Sequence, residues 1–287
     1  MKNIIVPVDF SDESLNGLRL AIIFANRFGA RIQMVYVQKT PSEMSRIGLE
    51  EEKKSALQNL KKLKDEYGRK MHDPNKLDSI VKKGRIYREV VNQAQAFEDS
   101  IIICSTHGAS GFEEFFMGSN AFKIVSASNM PVISIRHGSV AQDISRIILP
   151  IDSSNETRQK LPFTAQIANI FNAEVHVLGL TTTNSEDVEN KVTAYCNQVC
   201  EYLKDYGVKY QLQRLNVDNT TTATIEYAVN VEADLISIMT EQNDNLADFV
   251  LGTSAQQMLN KSPMPVLSIT PKEIFILGSF RTSGAPF

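Results

Sequence analysis

The chain repeats itself. Ile147-Ile148-Leu149-Pro150-Ile151-Asp152 restates Ile4-Ile5-Val6-Pro7-Val8-Asp9 at an offset of 143 residues, and from Ile4 to Val37 that offset needs no gap. Pro7, Asp9, Ser11, Glu13, Asn26 and Phe28 recur as Pro150, Asp152, Ser154, Glu156, Asn169 and Phe171. Further on the offset is 134, so that Gly118, Met130, Pro131, Val132, Ser134 and Ile135 recur as Gly252, Met264, Pro265, Val266, Ser268 and Ile269. The second copy is thus nine residues shorter between its second and fourth strands. Two long copies with matched order are two domains, not a solenoid. The first spans 1–138 and the second 144–270, joined through a linker at 137–144. The tail 271–287 starts apolar, at Ile274 to Leu277, and either adds a strand or lies over the surface.

Within each copy, strand patterns alternate with helix patterns. Ile4 to Asp9 is a β-branched apolar run ending in a carboxylate. Ser11-Asp12-Glu13-Ser14 starts a helix, with a capping serine and acids in the first turn. Leu15, Leu18, Ile22, Ala25 and Phe28 form its apolar stripe, and Gly29 ends it. A strand at 32–37, a long amphipathic helix through Leu49 to Tyr67, a strand at 77–81 and a helix at 87–97 follow. Ile101-Ile102-Ile103-Cys104 reads as the central buried strand. A helix through Ala121, Ile124 and Val125 and a last strand at 132–135 complete the copy. This order predicts an α/β fold: two tandem five-stranded parallel sheets with helices on both faces, a flavodoxin- or Rossmann-like sandwich. The two last strands are nearly identical, and each follows a proline that suits the start of an edge strand.

The central strand breaks into small residues, Ser105-Thr106-His107-Gly108, and nine residues later Gly118-Ser119-Asn120 opens a helix. A helix N-terminus offers unpaired N–H groups and a positive dipole end to an anion. Glycine lets backbone approach a ligand without a Cβ in the way. This stretch resembles the nucleotide signature of the universal stress protein family: Gly, two residues, Gly, nine residues, then Gly-Ser or Gly-Thr. Ser105 stands at the first glycine, and Gly108, Gly118 and Ser119 match. Asn129 to Ile135 is similar to that family's closing strand.

The resemblance implies an adenine nucleotide, ATP or a relative; Mg2+, held mainly by the phosphates, is expected to assist by screening their charge beside Asp9. It implies contacts along Cys104, Ser105, Thr106, His107 and Gly108, at Gly118, Ser119 and Asn120, and at Pro7, Val8, Asp9 and Val37. It also implies pairing through the fifth-strand edge. We expect the two copies to pair there within one chain, a pseudo-twofold dimer, with a homodimer of chains left open.

The residues allow other readings. Asp9 serves equally as a cap for the turn into the first helix, and Asp152 recurs with it. A serine at position 105 costs about 1–2 kcal/mol if the backbone there needs φ > 0, and fits if only smallness is needed. His107 has no second histidine or acid at metal-ligand spacing, so it reads as a loop-shaping residue. Cys104, inside the buried strand, reads as core, as do Cys196 and Cys200 on a helical stripe with Val192, Val199 and Leu203.

The second copy reads Met239-Thr240-Glu241-Gln242-Asn243-Asp244 where the first has its loop. Gln242 faces Gly108, and Glu241 and Asp244 bring negative charge to where phosphates would sit. A like-charge contact at about 4 Å and an effective dielectric of about 20 costs about 4 kcal/mol, more than a helix N-terminus offers. Gly252-Thr253 survives, but the second copy is expected not to bind nucleotide.

Net charge of −3 and 22% charged residues give no reason to expect nucleic acid or an anionic membrane. The longest apolar run, Leu20 to Ala25, is too short to span a bilayer. The start leads straight into a strand, so no signal peptide is expected, and three cysteines without framework spacing suit a cytoplasmic protein. Nothing supplies a positioned nucleophile with its base, so no enzyme is expected beyond slow, incidental ATP hydrolysis. Asp9-Phe10-Ser11-Asp12-Glu13-Ser14 lacks the glycines of a pyrophosphatase loop. Lys82-Lys83 stands where a phosphoacceptor domain needs Asp. The expected role is a stress-response sensor or adaptor. The alternative is a structural or interaction protein with an empty or different site.

Overall fold

A computed structural model describes residues 1–38, 46–106, 118–136, 143–240 and 251–271. The first copy runs β1 (Asn3–Pro7), α1 (Asp12–Phe28), β2 (Arg31–Gln38), α2 (Arg46–Gly68), β3 (Leu77–Lys83), α3 (Ile86–Gln95), β4 (Ser100–Ser105), α4 (Ser119–Ala127) and β5 (Val132–Ile135). The second runs β6 (Arg146–Ile151), α5 (Leu161–Phe171), β7 (Glu174–Thr181), α6 (Glu186–Asp205), β8 (Tyr210–Asn216), α7 (Thr220–Asn230), β9 (Leu235–Met239), α8 (Thr253–Lys261) and β10 (Val266–Ile269).

Local chemistry sets the boundaries. Ser11 caps α1, its hydroxyl accepting from Ser14 N at 3.2 Å. Gly29 ends α1 at φ 62, its N–H returned to Ala25 O, and Asn172 ends α5 at φ 55 in the same way. Glycine and asparagine are the residues that tolerate this left-handed cap.

The two copies differ in their first helix, although the repeat has no gap there and α1 runs from Asp12. In the second copy a 3-10 turn, Glu156–Arg158, comes first and α5 starts only at Leu161. Pro162 explains the delay. It has no N–H to give to an i−4 carbonyl and its ring clashes there, so the helix must begin close to it.

The strands form one sheet in the order β3-β2-β1-β4-β5-β10-β9-β6-β7-β8. Every pairing within a copy is parallel. The fifth strands pair antiparallel, Val132, Ile133 and Ser134 opposite Ser268, Leu267 and Val266. This is the intramolecular pairing expected from the repeat. Polar ties reinforce it: Thr270 Oγ1 donates to Ser128 O at 2.8 Å, and Arg136 donates to Asn260 O.

Two apolar layers sandwich the sheet. One, under α1, α2, α5 and α6, is a continuous cluster that includes Phe24, Leu60, Phe171 and Val199. The other lies under α3, α4, α7 and α8 and includes Val90, Ile124, Ala228 and Leu259. Phe28 and its repeat partner Phe171 meet at the pseudo-twofold, with ring centroids 6.2 Å apart, and Phe24 lies 5.0 Å from Phe171. Arg27 pairs with Asp143 beside them. Cys104, Cys196 and Cys200 are free and buried, as core residues should be. The tail beyond residue 271 lies outside the described residues.

Candidate functional site

In an open parallel sheet the ligand crevice forms where neighbouring strands send the chain in opposite directions. β1 and β4 are such a pair, with Ile4 beside Ile101, and their carboxyl ends meet at one edge. Pro7 closes β1, and Val8 is tied to β2 through Val8 N to Val35 O at 3.0 Å. Val37 lies next to it, near the carboxyl end of β2.

Asp9 is exposed at this edge, and its carboxylate works locally. Oδ1 accepts from Ser11 N at 3.1 Å and from Ser11 Oγ at 2.5 Å. Asp152 does the same with Ser154, at 2.8 Å and 2.5 Å. The turn-capping role is therefore common to both copies. Between Asp9 and Ser11, Phe10 sits at φ 67 with its ring stacked on Tyr36 at 5.1 Å. Tyr36 donates to Glu52 Oε1 at 2.8 Å, and Gln38 Nε2 reaches Glu52 Oε2 at 2.9 Å. Burial, then the Glu52 hydrogen bond, pushes the Tyr36 phenol up to about 12. This network braces the β2 end of the crevice. The sequence pattern did not reveal it, because its members come from the turn after β1, from β2 and from α2.

At β4, Ser105 pairs with Ile135 and its φ is not positive. Smallness, not left-handed backbone, is what this position asks for, and serine meets it. Beneath it, α1 passes close: a Cβ on Gly17 would stand 3.4 Å from Ser105 N. Thr106 is buried and donates to Ile135 O at 2.8 Å, while its own carbonyl accepts from Gly118 N at 2.6 Å. That bond draws the strand end and the start of α4 together across the loop between them. Gly118 has φ −56 and ψ 141, so its glycine is not required for backbone freedom. Gly118 gives α4 no side-chain cap, and an uncapped helix start is the kind of backbone that can serve an anion through its first-turn N–H groups. The Cys104 side chain is in the core, its thiol pushed up to about 12 by burial. Only its backbone borders the crevice. His107 and Gly108 lie outside the described residues.

The second copy keeps the frame. Thr240 N donates to Ile269 O at 2.8 Å, and Gly252 has φ −55 and ψ 148. Glu241, Gln242 and Asp244 lie outside the described residues. The floor differs, however. Lys160 stands where the first copy has Gly17, and its amine is buried, donating to Thr157 O at 2.5 Å and Thr157 Oγ1 at 3.3 Å. Burial holds its pKa down at about 8 despite the pull of Asp152. The signal for it was present in the gap-free repeat, as the exchange of a glycine for a lysine. Elsewhere in this copy a buried His176 joins Tyr227 OH at 3.0 Å and Glu174 Oε2 at 3.2 Å, where the first copy has Gln33 and Gln93.

Among the described residues no three His, Cys, Asp or Glu side chains gather to hold a metal ion. None of the described helices is long and apolar enough to cross a membrane.

The model of the universal stress protein family matches residues 1–136 and again 143–269. A universal stress protein of Methanocaldococcus jannaschii is 30% identical over 146 residues, which cover 47% of this chain and 82% of that protein. One from Synechocystis is 21% identical over 294 residues, covering 93% of this chain and 99% of the relative. The crystal structure of a universal stress protein from Archaeoglobus fulgidus superposes with a TM-score of 0.77 at 16% identity, over 94% of this chain and 97% of that one. With the family match falling on both halves of a single sheet, the chain belongs to the universal stress protein family and carries its domain twice.

Proposed function

We propose that the chain binds one adenine nucleotide, ATP or a close relative, at the carboxyl edge of β1 and β4. On this reading it acts in the cytoplasm as a stress-responsive sensor or adaptor and not as an enzyme. The observation that carries the reading is the Gly118 N to Thr106 O bond at 2.6 Å. It brings an uncapped helix start to the end of the central strand, at the family's spacing from Ser105 and Gly108. Asp9 and Val37 border the adenine end, and the N–H groups of Ser119 and Asn120 receive phosphate. Mg2+ is carried by the phosphates near Asp9. Three free cysteines support a reducing compartment. The second copy, with Lys160 in its floor and Glu241 and Asp244 in its loop, serves as a scaffold.

The test is titration calorimetry of the full chain with ATP, beside identification of small molecules released when the purified protein is denatured. One site per chain is expected. Gly118→Val should abolish binding and leave the circular dichroism spectrum intact, since a branched side chain would stand between phosphate and the helix start. Two sites would show that the second loop is competent. A folded Gly118→Val protein that binds as well as the parent would show that the phosphate site is wrong. No ligand at all would favour a structural or interaction protein.

A further inference from the structure

Three cations converge beside the first-copy crevice, and the crevice as described above leaves them without a task. Only Gly84 and Arg85 separate the end of β3 from the start of α3, so its first turn lies at the same carboxyl edge as the start of α4. Tyr87, on that first turn, is a buried side chain. Arg88 Nε donates to its hydroxyl at 3.1 Å, and Arg85 hydrogen-bonds to the same phenol. Lys123 of α4 lies 5.8 Å from the centre of the Tyr87 ring, and the Arg88 guanidinium lies 5.9 Å from it. Lys123 is four residues past Ser119, about 6 Å along the helix. The cluster therefore adjoins the helix start proposed to take phosphate.

Surface cations are usually spread out or paired with acids. Here two guanidiniums meet at one phenol oxygen and an ammonium shares its ring. Among the described residues none of the three is in an ion pair. Glu89, the acid of this turn, lies against Gly84. The phenol registers the potential: burial pushes its pKa up, yet hydrogen bonds and charge from Arg85 and Arg88 bring it below the ordinary tyrosine value. The repeat supplies a control. Val90 and Ala94 match Thr224 and Ala228 as buried positions of α3 and α7. In that register Arg85, Tyr87, Arg88 and Lys123 become Asn219, Thr221, Thr222 and Gln257. Thr221 there makes a neutral bond to Ser254 O at 3.4 Å. The copy with the nearly intact nucleotide motif has the cations, and the copy with the degenerate one has none of them.

We propose that Arg85, Arg88 and Lys123 form an anion annex to the first-copy crevice that holds phosphoryl groups further along the ligand, so that the chain selects polyphosphorylated nucleotides over monophosphates. The proposal rests on the adenine-nucleotide reading and names the ligand class within it. Tyr87 is a positioning residue: its hydroxyl gathers the two guanidiniums and its ring face carries the lysine.

The experiment titrates the full chain calorimetrically with AMP, ATP, adenosine 5′-tetraphosphate and inorganic tripolyphosphate, for the parent and for an Arg88→Gln/Lys123→Gln variant. The exposed positions of both residues make the variant a mild one for folding. Affinity should rise with phosphate number in the parent. In the variant the ATP-to-AMP affinity ratio should fall by about tenfold or more, the measure of one charge-assisted hydrogen bond. The affinity for ATP should also depend less steeply on salt. Equal parent affinities for AMP and the tetraphosphate, or an unchanged ratio in the variant, would overturn the annex and leave the nucleotide site standing. If no adenine nucleotide binds, the functional reading fails. Tripolyphosphate then decides the annex: binding lost in the variant supports it, and no binding refutes it.

Discussion

Replacing Lys160 with methionine should change how stability depends on pH. Lys160 is 2% exposed, and its ordinary value of 10.5 is held down at about 8 by burial, with Asp152 pulling the other way. The sign follows from proton binding. Below pH 8 both folded and unfolded chains hold the proton, and the burial penalty is fully present. Between pH 8 and 10.5 the folded chain loses the proton while the unfolded chain keeps it, so stability rises with pH. Above 10.5 the penalty is gone. The gap between the two values is worth about 3 kcal/mol. Methionine keeps the length and apolar stem but has nothing to ionise. It also removes the donor to Thr157 O and Oγ1, which trims the gain. Net stabilisation of about 1–3 kcal/mol is expected at pH 7, shrinking toward pH 10.5. Urea unfolding of both proteins from pH 7 to 10.5 measures it. If the two stability curves stay parallel, the amine is not destabilised by burial, and the argument fails. If the variant is the weaker protein at pH 7, the pairing with Asp152 outweighs desolvation, which refutes it equally.

Other perturbations read other parts of the structure. Gly179→Ala in β7 would place Cβ 2.8 Å from Cys196 Sγ and 3.1 Å from Arg214 Cγ, and should destabilise by about 1–3 kcal/mol in chemical unfolding. Adding Cys196→Ala should recover part of that loss, and no recovery would mean that the clash lies elsewhere. Gly17→Ala meets only ordinary contact at 3.4 Å and should stabilise α1 by about 0.5–1 kcal/mol, whereas Gly17→Leu should push α1 off β4 and lower the melting midpoint. Leu267→Ala, fully buried opposite Ile133, should cost about 2–5 kcal/mol in global stability, and a loss confined to the second copy would show that the seam is weak.

Much of this was legible in the sequence because repeats convert pattern into topology. The offset of 143 identified Phe28 with Phe171, and the near-identity of Val132–Ile135 and Val266–Ile269 pointed to the seam. Local chemistry was equally readable: Ser11 caps and Gly29 ends α1 as expected. What escaped depended on one residue or on packing. Pro162 shortened α5 although the flanking repeat had no gap. Lys160 is a single exchange whose consequence appears only when Gly17 is seen beneath Ser105. Whether Ser105 needed positive φ is a property of backbone, not of composition. Arg85, Arg88 and Lys123 lie on two helices, and no window of sequence contains all three.

The antiparallel seam explains why a copy without the nucleotide motif is kept. β5 is buried along its whole length, and Ile133 is fully buried. A lone first copy would expose this strand and leave its N–H and C=O groups unpaired, a template for aggregation. β10 covers it, and its own edge is covered in return. Because β5 and β10 run in opposite directions, the carboxyl edges of the two copies face opposite ends of the sheet. The second copy therefore cannot complete the first copy's crevice. Its contribution to the first copy is the seam and the packing of Phe171 against Phe24 and Phe28. Those duties constrain β9, β10, α5 and the linker side, and leave the far edge unconstrained. The departures sit at that edge: Lys160 in the floor, acids in the loop, and neutral residues where the first copy has its cations. A binding site must keep its floor small, as Gly17 does under Ser105, whereas a scaffold can fill the same space with a side chain. On the proposed reading, one ligand per chain is the occupancy that this division predicts.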